Sequence, residues 1–413
     1  MAAAAFFVLV GGSLQRVGLQ AYVTVLIFLA AMFALPCTLL IGPAGKSGER
    51  ELVNPPKTLI PLPLWGFATW ALVSAIQQHT EAGAQNVLVY LSFVAVMALA
   101  AVWASARSPV ALLRWVRAAS VVSAVLYLTA VALTGPGNSI FYQARVYGAT
   151  VWIGMVAAVT LAGRSRLGYG IPLLLLVSCL LSLSRTATIV CALLFLALAA
   201  KNNRRGTVRR FILLAAAVVY GGLLLFERFQ PLRDRFTDND NQQIGGLLIG
   251  TSGRAQLWTI TWDSIKEAPW VGHGLGSADR LISGIFGQDY IGHPHNDYLR
   301  IWHDLGIVGL VLWLSAMLVL GFGAYRRWRS ATQEADRAAH LAAMLAVLGL
   351  SLFAVTGNLL TYIFVQVPVA VITGTSLGRA GSLRDDDSRS RRAMHPSDLG
   401  RPGPGPVPEW GTG

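Results

Sequence analysis

Stretches of apolar residues long enough to cross a bilayer recur from one end of this chain to the other. They fall at 2–12, 19–41, 59–77, 86–106, 111–134, 147–163, 167–183, 186–200, 211–226, 305–324, 338–356 and 359–377. Hydrocarbon offers no hydrogen bonds, so a crossing segment must satisfy its own backbone, and a helix of about 20 residues does so. Twelve such segments predict an all-α polytopic membrane protein with about 12 transmembrane helices. The composition agrees: 54% of the residues are hydrophobic and 13% charged, where soluble domains carry about a quarter charged. Segment 2–12 lacks the basic flank and small-residue cleavage site of a signal peptide, and reads as a short first span.

Charge placement gives the chain two sides. The formal net charge is +13. In a soluble protein that excess would point to nucleic acid. Here the basic residues flank the spans, and no nucleic-acid partner is expected. Segments 167–183 and 186–200 are nearly continuous, yet Arg164 and Arg166 precede them and Lys201, Arg204, Arg205, Arg209 and Arg210 follow. Basic flanks mark the cytoplasmic side, so an even number of crossings must lie between them. The pair is therefore a tight hairpin with Arg185 at its outer turn. With both termini cytoplasmic, 23 of the 33 basic residues lie inside. The predicted organisation is 1–226 with nine spans, an outer loop domain at 227–304 that contains helices, 305–377 with three spans, and a polar 378–413 tail. That tail, rich in Gly, Pro, Ser and Arg, is expected to be a disordered cytoplasmic extension. Cys37, Cys179 and Cys191 sit in or beside apolar runs without metal-ligand spacing and read as inert thiols.

The outer loop holds seven Lys or Arg against ten Asp or Glu, so any anion site there must come from a few placed arginines. Arg254, Trp258 and Trp262 share a helix face by their spacing, and the tryptophans suit a membrane interface. Arg254 falls in a first helical turn, where a cation opposes the macrodipole unless a bound anion sits between them. Pairing with an acidic neighbour is the equal alternative. Pro269 ends that helix, and Gly272, Gly274 and Gly276 permit a close-packed turn. Without a preceding strand this is no dinucleotide fingerprint.

In the second outer element Asn296 or Asp297 starts a helix that runs into the span at 305–324. His295 then lies at a helix N-terminus, whose dipole favours the neutral imidazole, and a neutral histidine can act as a general base. A purely structural His295 stays open, as does a metal site with His293, for which His273 and His303 would have to be recruited by folding. No metal is expected. Arg185 at a hairpin tip is costly unless it has a role. Arg145, in a short outer loop, fits either a substrate contact or snorkelling to lipid phosphate. Gly306 and Gly309 read as sites of close helix packing.

The motifs S-G-R-x₃-W at Ser252 to Trp258, P-x-x-G-x-G-x-G from Pro269, H-N-x-Y-L at His295 to Leu299, S-R-T at Ser184 to Thr186 and A-R-V-Y-G at 144–148 occur in one order and on one side. Together they resemble the O-antigen ligase and polymerase superfamily. The resemblance implies a membrane-embedded GT-C-like glycosyltransferase without cofactor or metal, in the bacterial inner membrane with its active face periplasmic. It implies an undecaprenyl-diphosphate-linked glycan as donor. The acceptor is lipid A–core oligosaccharide for a ligase, or another lipid-linked glycan for a polymerase. On this resemblance Arg185 and Arg254 hold the diphosphate and His295 activates the acceptor hydroxyl. Arg145, Asn296, Tyr298 and Trp258 are further candidate contacts. One histidine base and no evident carboxylate nucleophile imply inversion at the anomeric carbon. A flippase without catalysis is the competing class. It would show charged residues inside spans, and here the spans are nearly free of Asp, Glu and Lys.

Overall fold

A computed structural model describes residues 2–41, 60–104, 108–137, 142–163, 166–202, 241–244, 247–250, 254–287 and 292–393, with scattered positions between 212 and 230. The chain forms α1 (Ala2–Arg16), α2 (Gln20–Ile41), α3 (Leu62–Gln78), α4 (Glu81–Trp103), α5 (Pro109–Thr134), α6 (Ala144–Leu161), α7 (Gly170–Leu181) and α8 (Arg185–Asn202). After a two-stranded antiparallel ribbon, β1 (Asn241–Ile244) and β2 (Leu247–Gly250), come α9 (Arg254–Ile265), α10 (Ser277–Phe286), α11 (Asp297–Ser330), α12 (Glu334–Ala354) and α13 (Ile363–Ala393). The ribbon is the departure from an all-helical chain among the described residues. Five helices, α4, α5, α6, α11 and α12, are long and apolar enough to cross a membrane, and shorter apolar helices lie in α1, α2, α7, α8 and α13. The chain is a multi-pass helical membrane protein. Half of the expected span at 211–226 lies outside the described residues, as do Ser252, Gly253 and 394–413.

Small residues set the helix packing, as they must where lipid removes the hydrophobic drive between helices. Trp152 of α6 is fully buried, and a side chain at Gly349 of α12 would lie 2.6 Å from its ring. Gly374 and Gly378 of α13 press against α4, where an added Cβ would come within 2.3 Å of the Met97 carbonyl and 2.0 Å of that of Ala101. This G-x-x-x-G pair brings two backbones together and seats α13 in the core.

Helices α7 and α8 are separate, joined by the tight turn Ser182–Ser184, in which Leu183 is left-handed at φ 55°. Twelve residues make α7 about 18 Å long, well short of a bilayer core of about 30 Å. The Leu181 carbonyl at its end accepts from Gly137 N–H at 3.1 Å and from Tyr127 Oη at 3.2 Å.

α11 is two helices broken at Gly306, which stands at φ 68° and ψ −174°. Sequence reads Gly306 only as a packing position; the structure shows a chain crossing instead. Pro269 to Gly272 run over the break, and Ile307 N–H finds the Pro269 carbonyl at 2.9 Å. A Cβ on Gly306 would lie 2.1 Å from the Trp270 carbonyl oxygen. Gly272, Gly274 and Gly276 are all left-handed. The Asp304 carboxylate accepts from Gly276 N–H at 2.9 Å and Ala278 N–H at 2.8 Å, closing the N-terminus of α10. The loop is thereby bolted to α11, and its polar end is held against the bundle.

Near the start of α12, Asp336 accepts from Arg379 Nε and His340 Nδ1 pairs with Ser376 Oγ at 2.8 Å. With its charge met there, α13 continues past Leu377, where the sequence alone ends the span, to Ala393.

Candidate active site

Three helices carry an arginine in their first turn at one end of the bundle. Arg145 lies in the first turn of α6, Arg185 opens α8 and Arg254 opens α9. None of the three has an acidic residue in its first turn. Carboxylates stabilise that position and cations oppose the dipole. Three such starts concentrate positive potential and free backbone N–H groups in one place, a disposition that favours a bound anion.

Packing brings these starts together. Gly148, one turn into α6, lets α8 approach so closely that a Cβ there would lie 3.0 Å from Cβ of Ser184 and 3.1 Å from Cβ of Ala187. The Thr186 hydroxyl meets that of Thr356, in the segment joining α12 to α13. From the other side Arg254 Nη1 donates to the Thr356 carbonyl at 2.9 Å. That contact ties the Arg254 guanidinium to the segment between α12 and α13. Residues 356–361 are therefore the hub on which α8 and α9 converge.

The same hub holds the histidine turn. Asp297 and Arg300, fully buried, form an ion pair at 2.7 Å. Asp297 Oδ2 also accepts from Leu360 N–H, and Arg300 Nη1 donates to Thr361 Oγ1, each at 3.2 Å. Asn296 caps α11 by accepting from the N–H groups of Tyr298 and Leu299, both at 3.0 Å. Tyr298 Oη donates to the Ser351 carbonyl at 2.7 Å, and Trp258 Nε1 to that of Pro294 at 2.8 Å. Asn296, Tyr298 and Trp258 thus each fasten the scaffold around His295.

His295 is left-handed at φ 52°, an uncommon state for a residue with a side chain and one that recurs at functional sites. Its Nδ1 lies 3.2 Å from Asn358 Nδ2. Burial pushes its pKa down to about 3, with the positive charge of Arg254, then His293 and Arg145, adding to the effect. The sequence assigned the neutral ring to the helix dipole; in the structure burial comes first and the charges of Arg254, His293 and Arg145 follow, while His295 precedes the Asn296 cap. At neutral pH the ring is an uncharged proton acceptor within the field of two guanidiniums.

The other histidines have different partners. His293 Nδ1 pairs with Asp279 Oδ1 at 2.7 Å. His273 and His303 stack at 4.7 Å and share Ser264 Oγ at 3.3 and 3.1 Å. Among the described residues no three His, Cys, Asp or Glu side chains are grouped to hold a metal ion. The sequence missed Thr356 and Asn358. Their signal was slight: two polar residues where one span gives way to the next.

The O-antigen ligase family model matches residues 170–314, a stretch that contains Arg185, Arg254 and His295. The chain is similar to the O-antigen ligase of Pseudomonas aeruginosa, 33% identical over 111 residues that make up 26% of this chain and 25% of that protein. It is similar also to a Rickettsia conorii protein named as a polysaccharide ligase, 37% identical over 70 residues, 15% of this chain and 17% of that protein. The matched stretches thus cover a quarter or less of these relatives' lengths.

Proposed function

We propose that this chain, which matches the O-antigen ligase family model over residues 170–314, is a glycosyltransferase that moves a glycan from undecaprenyl diphosphate to lipid A–core oligosaccharide. One observation carries the reading. Three helix starts each carry an arginine and no acid in the first turn; those of α8 and α9 reach, through Thr186 and Thr356, the segment whose Asn358 contacts a histidine kept neutral, and that of α6 packs on α8 at Gly148. An anion and a hydroxyl are the chemical partners of such a pair. The relatives named as ligases favour ligation over polymerisation.

The acceptor hydroxyl oxygen attacks the anomeric carbon while its proton passes to His295. The bond from that carbon to the phosphate oxygen breaks, and the carrier diphosphate leaves with the electron pair. Negative charge grows on the leaving group, where Arg254 and Arg185, with Arg145 close by, stabilise it most in the transition state. Guanidiniums suit this task because they stay charged and bond phosphate oxygens through two donors. A single displacement inverts the anomeric carbon. In this reading the chain crosses the inner membrane twelve times, both termini are cytoplasmic, and the arginine end faces the periplasm, where the bilayer presents the lipid-linked donor.

The test is a reconstitution of the purified protein with a carrier-linked glycan and separate acceptors. Transfer to lipid A–core without lengthening of the carrier-linked glycan is the expected result. A ladder of lengthened lipid-linked glycan would make it a polymerase. Donor crossing liposomes without a new glycosidic bond would make it a flippase.

A further inference from the structure

The amide of Asn358 decides which nitrogen of His295 can take a proton. Asn358 is 3% exposed, and its side-chain nitrogen lies 3.2 Å from His295 Nδ1, while its Oδ1 is buried without a hydrogen-bond partner. In that orientation the amide N–H donates to Nδ1, so the ring proton sits on Nε2. A ring so arranged holds its lone pair against Asn358 and has none to offer a hydroxyl. Turning the amide by a half rotation exchanges two atoms of nearly equal size. Oδ1 then accepts from Nδ1–H, and the lone pair moves to Nε2.

The field of the site chooses between these forms. Arg254 on α9 and Arg145 on α6 both act on the ring, as does His293 in the same turn. In the orientation shown Oδ1 has no partner, so turning the amide gives up no hydrogen bond of that oxygen. With Nδ1 engaged by Asn358, Nε2 is the nitrogen left for another partner. A cationic field favours the tautomer that turns a lone pair towards it and an N–H away. The low-dielectric surroundings of a buried ring strengthen that preference.

We propose that Asn358 is a positioning residue for His295: its side-chain carbonyl accepts the Nδ1–H and leaves Nε2 as the base that receives the acceptor proton. The inference deepens the transferase reading and rests on it. Asn358 lies outside the 170–314 match, and the fold carries it there from the junction of α12 and α13.

Two substitutions and one spectrum test this. In Asn358→Asp the ionised carboxylate can only accept, so it enforces the proposed tautomer. Transfer is expected to persist within about tenfold of wild type, with the acid limb of kcat/KM moved to higher pH because a carboxylate favours imidazolium. Asn358→Leu removes the acceptor and is expected to lower kcat on the order of 100-fold at unchanged donor KM. The ¹⁵N spectrum of His295 in nanodiscs, assigned by its loss in His295→Gln, reads the tautomer without turnover. The proposal requires Nδ1–H in wild type and in Asn358→Asp. Nε2–H in wild type, or a folded, donor-binding Asn358→Asp without transfer, would overturn it. An Nδ1–H form in a wild-type protein that transfers no glycan to any acceptor would uphold the hydrogen bond and remove the transferase reading instead.

Discussion

Arginines at two levels of this protein meet opposite fates. Arg300 closes on Asp297 at 2.7 Å in full burial, and at the other end of the bundle Arg379 closes on Asp336. In both places an acid of the same protein meets the cation: Arg379 and Asp336 join two helices, while Asp297 and Arg300, both in α11, reach together to residues 360 and 361. Arg254 instead donates to a backbone carbonyl, that of Thr356, and Arg145, Arg185 and Arg254 all open helices without acids in their first turns. The first kind of arginine holds the fold; the second kind gathers at helix starts, the place the proposed reading gives to the diphosphate. His295 divides the same way from His340, which pairs with Ser376 inside the bundle, whereas His295 faces the arginine starts.

The contrast can be broken by substitution. His295→Ala should lower transfer by on the order of 10²–10⁴, the usual contribution of a positioned base, while the protein stays folded and binds the lipid donor. Single-turnover transfer and a binding assay on the same sample separate the two. Arg300→Met should do the reverse. It strands Asp297 in the interior and should cost about 3–5 kcal/mol of stability, read as a large fall in unfolding temperature in detergent. Arg300→Met with Asp297→Leu should recover much of that loss, because replacing both charges removes the orphan.

A smaller effect sharpens the comparison through pH. The folded pKa of His295 is lowered from 6.5 to about 3, so its neutral ring contributes stability that is complete above about 6.5. As pH falls from there towards 3 the unfolded chain takes up a proton that the folded chain refuses, and stability drops. His295→Gln should flatten unfolding free energy against pH over that window. An unchanged slope would show that the ring is not held neutral by the fold.

Much of the bundle was legible in composition and charge. The basic residues on both sides of 167–200 implied a hairpin, and α7 and α8 do meet at a three-residue turn before Arg185. The Gly272, Gly274 and Gly276 run implied a close turn, and all three are left-handed. What escaped the sequence depends on distant partners. Asn358 meets His295 across 63 positions and Thr356 meets Arg254 across 102, and a short polar stretch between two spans has no periodicity to announce it. The end of α13 was hidden for the same reason, since Arg379 is met by Asp336 of another helix. Gly306 looked like a packing residue because a glycine in a span is usually that; only the chain crossing at Trp270 reveals the break.

The most direct measurement is equilibrium binding of an undecaprenyl diphosphate and the matching monophosphate to wild type and to Arg254→Ala in nanodiscs. Arginines held charged for a diphosphate predict tighter binding of the diphosphate by wild type. They also predict a loss on the order of 10- to 100-fold in Arg254→Ala, about 1.4–2.7 kcal/mol, with little change in unfolding temperature. Equal binding by the two proteins, or a stability loss that accounts for the whole effect, would return Arg254 to the class of Arg300 and contradict the site.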